Sequence, residues 1–135
     1  MLKKTIKYHD YNGNERTGDF YFNFSEAELA EMELSVNGGY AQMLQSIIDA
    51  QDIPSIAKVF KDIIVKSYGV KSADGVRFEK SEELSRQFTQ TDAYSVLYME
   101  LVQDSKKMAD FCNALIPKNL AEKVNKARQN DNASN

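Results

Sequence analysis

Acid–base, nucleophilic or metal chemistry in this chain has to start from one histidine, one cysteine and a run of glutamates. His9 sits beside a turn signal with no second His or Cys nearby in sequence, so it does not begin a zinc ligand set. Cys112 falls on an apolar helical stripe with Met108, Phe111, Leu115 and Ile116, which reads as a small core residue and not as a nucleophile. Glu26, Glu28, Glu31 and Glu33 lack apolar neighbours on their own face to raise a carboxyl pKa, so they read as solvated surface. Asn37-Gly38-Gly39 precedes a helix but follows another helix and lacks the full phosphate-loop pattern. Asp74-Gly75 signals a turn without the alternating oxygen ligands of a calcium loop. The sequence therefore predicts no enzyme, no cofactor and no metal site.

Charge narrows the partners. The net charge is −3 over 135 residues, against the strongly basic balance of a dedicated nucleic-acid binder. Its distribution is uneven. Residues 25–53 hold six acids and no Lys or Arg, whereas residues 54–81 hold six bases against three acids. Such blocks attract each other within one fold, present an acidic face to a basic partner, or simply form solvated helix faces. The bases Lys58, Lys61, Lys66, Lys71, Arg77 and Lys80, interleaved with Tyr68 and Phe78, resemble a single-stranded nucleic-acid platform, but Asp62, Asp74 and Glu79 dilute them. No apolar run approaches the ~20 residues of a membrane span, and the first residues lack the apolar core of a secretory signal. One cysteine excludes an intramolecular disulfide framework and fits a reducing cytosol.

These residues need elements to position them. Residues 4–24 read as a β-hairpin: Ile6 and Tyr8, then Phe20, Phe22 and Phe24, alternate with polar residues around Tyr11-Asn12-Gly13-Asn14. A two-residue loop puts the two apolar rows on opposite faces. An odd loop unites them, with Ile6 opposite Phe20 and Leu2 opposite Phe24, so an odd loop or a bulge near Gly18 is expected. Ser25 through Glu28 is a capping box opening a helix that stops at Asn37-Gly38-Gly39. A second helix carries Met43, Leu44, Ile47 and Ile48 on one stripe and ends at Asp52-Ile53-Pro54. The strongest helical pattern covers 55–68, with Ile56, Val59, Phe60, Ile63, Ile64 and Tyr68 at three- and four-residue spacing. Residues 67–81 then read as a glycine-punctuated connection. Further helices follow, bearing Leu84 and Phe88; Tyr94, Leu97, Tyr98, Leu101 and Val102; Met108 to Ile116; and Leu120 with Val124. The fold class is mostly α: an N-terminal hairpin and a compact bundle of about five to seven helices. One domain over 1–128 and a polar, disordered tail over 129–135 are expected.

The order of several landmarks is more specific than any one of them. A capped helix after a hairpin, then Ser67-Tyr68-Gly69-Val70-Lys71-Ser72-Ala73-Asp74-Gly75-Val76-Arg77-Phe78 and Lys80-Ser81, then Phe88 with Thr91-Asp92-Ala93-Tyr94-Ser95 and Leu97, resembles the tail assembly chaperones of long-tailed bacteriophages. The likeness is nearest to those of phages of Gram-positive bacteria and covers residues 3–124. It implies a small helical protein of the bacterial host cytoplasm, not retained in the mature virion and without catalytic activity. It also implies binding of the long helical tape measure protein, keeping that protein soluble, and help in recruiting tail tube subunits. A homo-oligomer is compatible with it, as is a longer product made by frameshifting. The family supplies no invariant functional residue.

Hydrophobic capture is the mechanism expected on that basis, with an amphipathic partner helix laying its apolar face into a groove. Candidate partner-binding residues are Tyr68, Val70, Val76 and Phe78 in the connection, with Tyr94 and Tyr98 on the following helix. The same side chains would equally close a core between two helical halves. Two other function classes stay open. One is a non-catalytic interaction or adaptor domain, self-assembling through Phe20, Phe22 and Phe24. The other is a nucleic-acid binder.

Overall fold

The computed structural model describes residues 1–133. In chain order its elements are β1 (Leu2–His9), β2 (Glu15–Phe22), α1 (Glu26–Leu34), α2 (Tyr40–Asp49), α3 (Ile53–Ser67), β3 (Tyr68–Lys71), β4 (Phe78–Glu79), α4 (Glu82–Thr89), α5 (Asp92–Val102), α6 (Ser105–Leu115) and α7 (Leu120–Ala133). The predicted class, a hairpin followed by helices, is the observed one. Helix α7 continues into the polar stretch 129–135, whose last two residues lie outside the described range.

Contacts gather the chain into two compact units. The first comprises Met1–Asn23 and Asp62–Leu115; the second begins with Phe24–Lys61 and resumes at Ile116. The division falls within α3. Phe60 is buried in the second unit, and Ile63, Ile64 and Ser67 are buried in the first.

In the first unit the hairpin has the predicted odd loop, but its register is shifted by two residues. Ile6 pairs with Gly18 and Leu2 with Phe22, where Phe20 and Phe24 were expected. No bulge is needed at Gly18. The cause is the loop, which spans residues 10–14: one Asp10 carboxylate oxygen, Oδ1, accepts the Asn12 and Asn14 amides at 3.0 and 2.9 Å. The Asp10 amide also donates to the Asn14 carbonyl at 2.9 Å, and Gly13 takes φ +83°. An aspartate that accepts from its own loop amides fixes the turn from within. Arg16 Nε closes on Asp10 Oδ2 at 2.7 Å, and these bonds hold the Asp10 carboxyl down at about 2. The apolar parity survives because a two-residue shift leaves every side chain on its face.

The larger departure lies at 67–81. The predicted connection is a second β-hairpin that adds to the first, in the order β1-β2-β3-β4. Tyr21 pairs with Gly69 and Phe22 with Tyr68, while Val70 pairs with Glu79 and Lys71 with Phe78. The Asn23 amide donates to the Ser67 carbonyl at 2.8 Å, tying the end of α3 to the end of β2. One sheet face carries Ile6, Phe20, Phe22 and Tyr68, and the other carries Tyr21, Gly69, Lys71 and Phe78.

Gly69 makes that junction possible. A Cβ there would come within 2.6 Å of Phe78 Cε2 and 2.8 Å of the Glu79 carbonyl oxygen, and the carbonyl is backbone that cannot turn aside. Gly69→Ala is therefore expected to destabilise the protein by about 2 kcal/mol or more, as overpacking does. Urea unfolding reads this as a lower midpoint; an unchanged midpoint would mean that β4 detaches at no cost.

In the second unit, α1, α2 and α7 pack together. Ser25 and Glu28 form the predicted capping box, at 2.9 and 3.1 Å. Helix α2 ends in a Schellman motif: Asp52 N–H donates to Ile47 O and Gln51 N–H to Ile48 O, with Gln51 at φ +51° where glycine is usual. Asp52 then accepts from Ser55 and starts α3.

Candidate protein-docking site

The six candidate residues all belong to the first unit, yet they fall into three groups. Tyr68, Tyr94 and Tyr98 join one aromatic cluster. Phe88, from α4, is its centre and is almost fully buried. Tyr68 stacks on Phe88 with centroids 4.2 Å apart and planes 9° off parallel. Tyr94 meets Phe88 edge-on at 5.6 Å, and Tyr98 follows Tyr94 at 5.9 Å. Phe22 closes the set against Phe88, Tyr68 and Phe111 at 5.4–5.9 Å, and Phe20 lies 5.4 Å from Phe88. Edge-to-face and offset rings at these spacings add cohesion beyond the area they bury. Burial pushes the Tyr68 and Tyr94 hydroxyls up, so both stay neutral at physiological pH. These rings are half-buried and packed inside the unit.

Phe78 lies on the opposite sheet face, against Gly69, with Lys80 Nζ 5.8 Å from its ring centroid. Lys71 Nζ stands 4.4 Å over the Tyr21 ring on that same face. Val70 and Val76 form the third group: both are exposed, Val76 at 79%. Val76 is held there by its turn. Asp74 Oδ1 accepts Ser72 Oγ–H at 2.6 Å and the Val76 amide at 3.0 Å, while the Arg77 amide donates to Ser72 Oγ at 3.0 Å. The Ser72 hydroxyl and the Val76 amide lower the Asp74 pKa. A turn tied by its own side chains presents an apolar tip with little ordering left to do on binding.

One further apolar feature of the unit lies outside the six candidates, on the helix whose apolar row is expected to include Val102. Helix α5 is apolar on both sides. Ala93, Leu97 and Leu101 are buried, and the other side leaves Val96, Met99 and Val102 exposed at three-residue spacing. The signal was present in the sequence: Val96 and Met99 break the one-sided pattern that a surface helix normally keeps. Ion pairs flank the stripe, with Glu100 3.8 Å from Lys4 and 3.6 Å from Lys107.

The chemical candidates resolve separately. His9 borders an open cleft of about 300 Å³ with Tyr8, Asp10, Tyr11, Arg16 and Asp92, where its amide donates to Asp92 Oδ2 at 3.3 Å. Among the described residues no group of three or more His, Cys, Asp or Glu is placed to hold a metal. Glu33 corrects the sequence expectation, because it is buried (7% exposed) and not solvated. Its Oε1 accepts the Ala41 amide at 2.9 Å at the start of α2, where Gly39 offers no side-chain cap. Within the basic stretch, Lys80 Nζ donates to the Asn23 carbonyl at 2.6 Å and Arg77 pairs with Glu79 at 3.2 Å.

Cys112 is half-buried on α6, and burial pushes its thiol up to about 11. Alkylation should be slow at neutral pH and rise only well above the ordinary thiol value of about 8.5. The unfolded chain ionises first, so this group's stabilising contribution is complete below about 8.5 and falls as pH climbs towards 11. A rate–pH profile on the native protein checks this; a midpoint at the ordinary value would place the thiol in water.

A family model described as phage tail assembly chaperone matches residues 1–135. Comparison with curated proteins and with solved structures returned no match.

Proposed function

The chain belongs to the phage tail assembly chaperones, and from that premise we propose that it binds the tape measure protein of its phage, keeps it soluble and assists assembly of the tail tube around it. Its place of action is then the cytoplasm of the infected host. The observation that carries this reading is the exposed α5 stripe beside a packed aromatic core. Val96, Met99 and Val102 offer a firm apolar strip to an amphipathic helix, and the tape measure segment exposes such helices before the tube forms. Val70 and Val76 extend the accessible apolar surface. Tyr68, Phe78, Tyr94 and Tyr98 contribute by stiffening the elements that carry it.

Co-expression with the tape measure protein, scored for its soluble fraction, tests the function. The wild-type chain is expected to raise that fraction. Met99→Asp and Val76→Asp are expected to abolish the gain while circular dichroism stays native. An unchanged insoluble fraction with the wild type overturns the function. Full rescue by both variants overturns the surface alone.

A further inference from the structure

The sheet of the first unit ends on an open edge. In the order β1-β2-β3-β4, β4 closes one side with two residues, whereas β1 lines the other with eight. Backbone direction alternates along an antiparallel strand. The Asp10 amide donates to the Asn14 carbonyl, so the even residues of β1 turn their amides and carbonyls towards β2. The odd residues turn theirs outward, and the His9 amide accordingly reaches Asp92 Oδ2 on α5 at 3.3 Å. Lys3, Thr5 and Lys7 are exposed, and among the described residues no partner takes their outward amides and carbonyls. A row of unpaired strand groups is a template for one more strand.

Helix α5 supplies a floor beside that row. Asp92 meets His9 and Glu100 Oε1 lies 3.8 Å from Lys4 Nζ, so α5 runs along β1 in the opposite direction. Val96 stands one helical turn from each of these acids, on the same side of the helix, and is 37% exposed. The side chains of β1 then narrow the occupant. On the outer sheet face Lys3 stands opposite Tyr21 and Lys7 opposite Thr17, so neither has a carboxylate directly across from it. The acids of that face, Asp19 and Glu15, stand opposite Thr5 and His9, and Asp19 accepts the Thr5 hydroxyl at 2.7 Å. A second copy pairing through Lys3, Thr5 and Lys7 would set Lys3 against Lys7 twice, and like charges directly opposite destabilise a pair. A strand with acids at those two positions gains both contacts instead.

We infer that the β1 edge takes an extended protein segment as a fifth strand, antiparallel to β1, with acidic side chains opposite Lys3 and Lys7 and apolar side chains turned towards Val96. Directly opposite residues of an antiparallel pair share a face, so the residues that carry the acids also supply the main-chain bonds to β1. The backbone bonds give the affinity and the two lysines set the choice of partner. The site is defined by the β1 backbone and does not depend on the tape measure reading.

Labelled peptides of about seven residues, the length of an ordinary strand, test it by fluorescence anisotropy on the intact protein. One alternates Val with Glu and the other Val with Lys. The Glu peptide is expected to bind roughly tenfold tighter, with the preference shrinking as salt rises. N-methylation of its Glu amides is expected to abolish binding, whereas N-methylation of its Val amides, which point away from β1, leaves binding unchanged. Lys3→Glu with Lys7→Glu is expected to reverse the preference between the two peptides. Thr5→Pro is expected to weaken the Glu peptide at least about tenfold with a native circular dichroism spectrum, because that amide faces outward on an edge strand. Equal binding of the two peptides by the wild type overturns the inference, as does absence of saturable binding. Loss of binding on methylating the Val amides instead of the Glu amides overturns the antiparallel addition. A concentration-dependent mass abolished by Thr5→Pro overturns it by making a second copy the occupant. None of these outcomes bears on the co-expression test, which reads Met99 and Val76.

Discussion

Phe88→Ala should be the most damaging single truncation in the first unit, lowering stability by about 3–5 kcal/mol. The ring is almost fully buried and has aromatic neighbours on several sides: Phe20, Phe22, Tyr68 and Tyr94 lie 4.2–5.8 Å away by centroid. Removing it leaves a cavity that its neighbours cannot close, because Phe20, Phe22 and Tyr68 are held in sheet register and Tyr94 by its helix. The loss therefore includes the transfer of the ring, the void and the geometry-specific aromatic contacts. Phe88→Leu, which refills part of the volume, should recover a substantial share. Urea denaturation of the two variants checks the order. A loss below about 1 kcal/mol for the alanine variant would show that the cluster collapses around the gap.

Gly39→Ala is the matching prediction for the second unit, with an expected cost of about 3 kcal/mol. Two effects act together. Gly39 has φ +95° and ψ 145°, a conformation that a side chain strains to adopt. Its missing Cβ also leaves the space occupied by the Glu33 carboxylate, whose Oε2 a methyl group would overlap. Alanine at 39 thus strains the backbone and expels the group that caps α2. Glu33→Ala should cost about 1–2 kcal/mol by removing that cap. The double variant should cost less than the sum, because once the carboxylate is gone only the backbone strain remains to be added. Strict additivity in thermal or urea melts would show that the two residues act independently.

Much of this architecture was legible in local sequence. Ser25 with Glu28, Ser81 ahead of Leu84 and Thr91 ahead of Tyr94 act as helix starts because a hydroxyl reaches an amide three residues away, and the partner is written beside it. The helical stripes and the odd parity of the first hairpin were legible for the same reason. Its register was not, because the competing odd loops differ only in how Asp10 spends its carboxylate.

The candidate site was less legible. Of its six residues, Tyr68, Tyr94 and Tyr98 proved to belong to one aromatic cluster, while Phe78 lies across the sheet from it. The outward stripe of α5 shows in the sequence only as a break in one-sided patterning; that Val96, Met99 and Val102 are left exposed is decided by the fold.

The sequence by itself determined that the chain is mostly helical, that it opens with a hairpin, and where most helices begin. Only the tertiary structure decided that residues 67–81 join the sheet. Tyr68 to Lys71 make too short a strand, with a glycine inside it, to announce itself, and they are held by β2, a partner distant in sequence. Only the tertiary structure turned Glu33 from a surface acid into a buried cap, because the amide it serves belongs to the next helix. Interactions that close within a few residues are encoded locally. Those that join distant segments depend on loop closure and on the packing that rewards it.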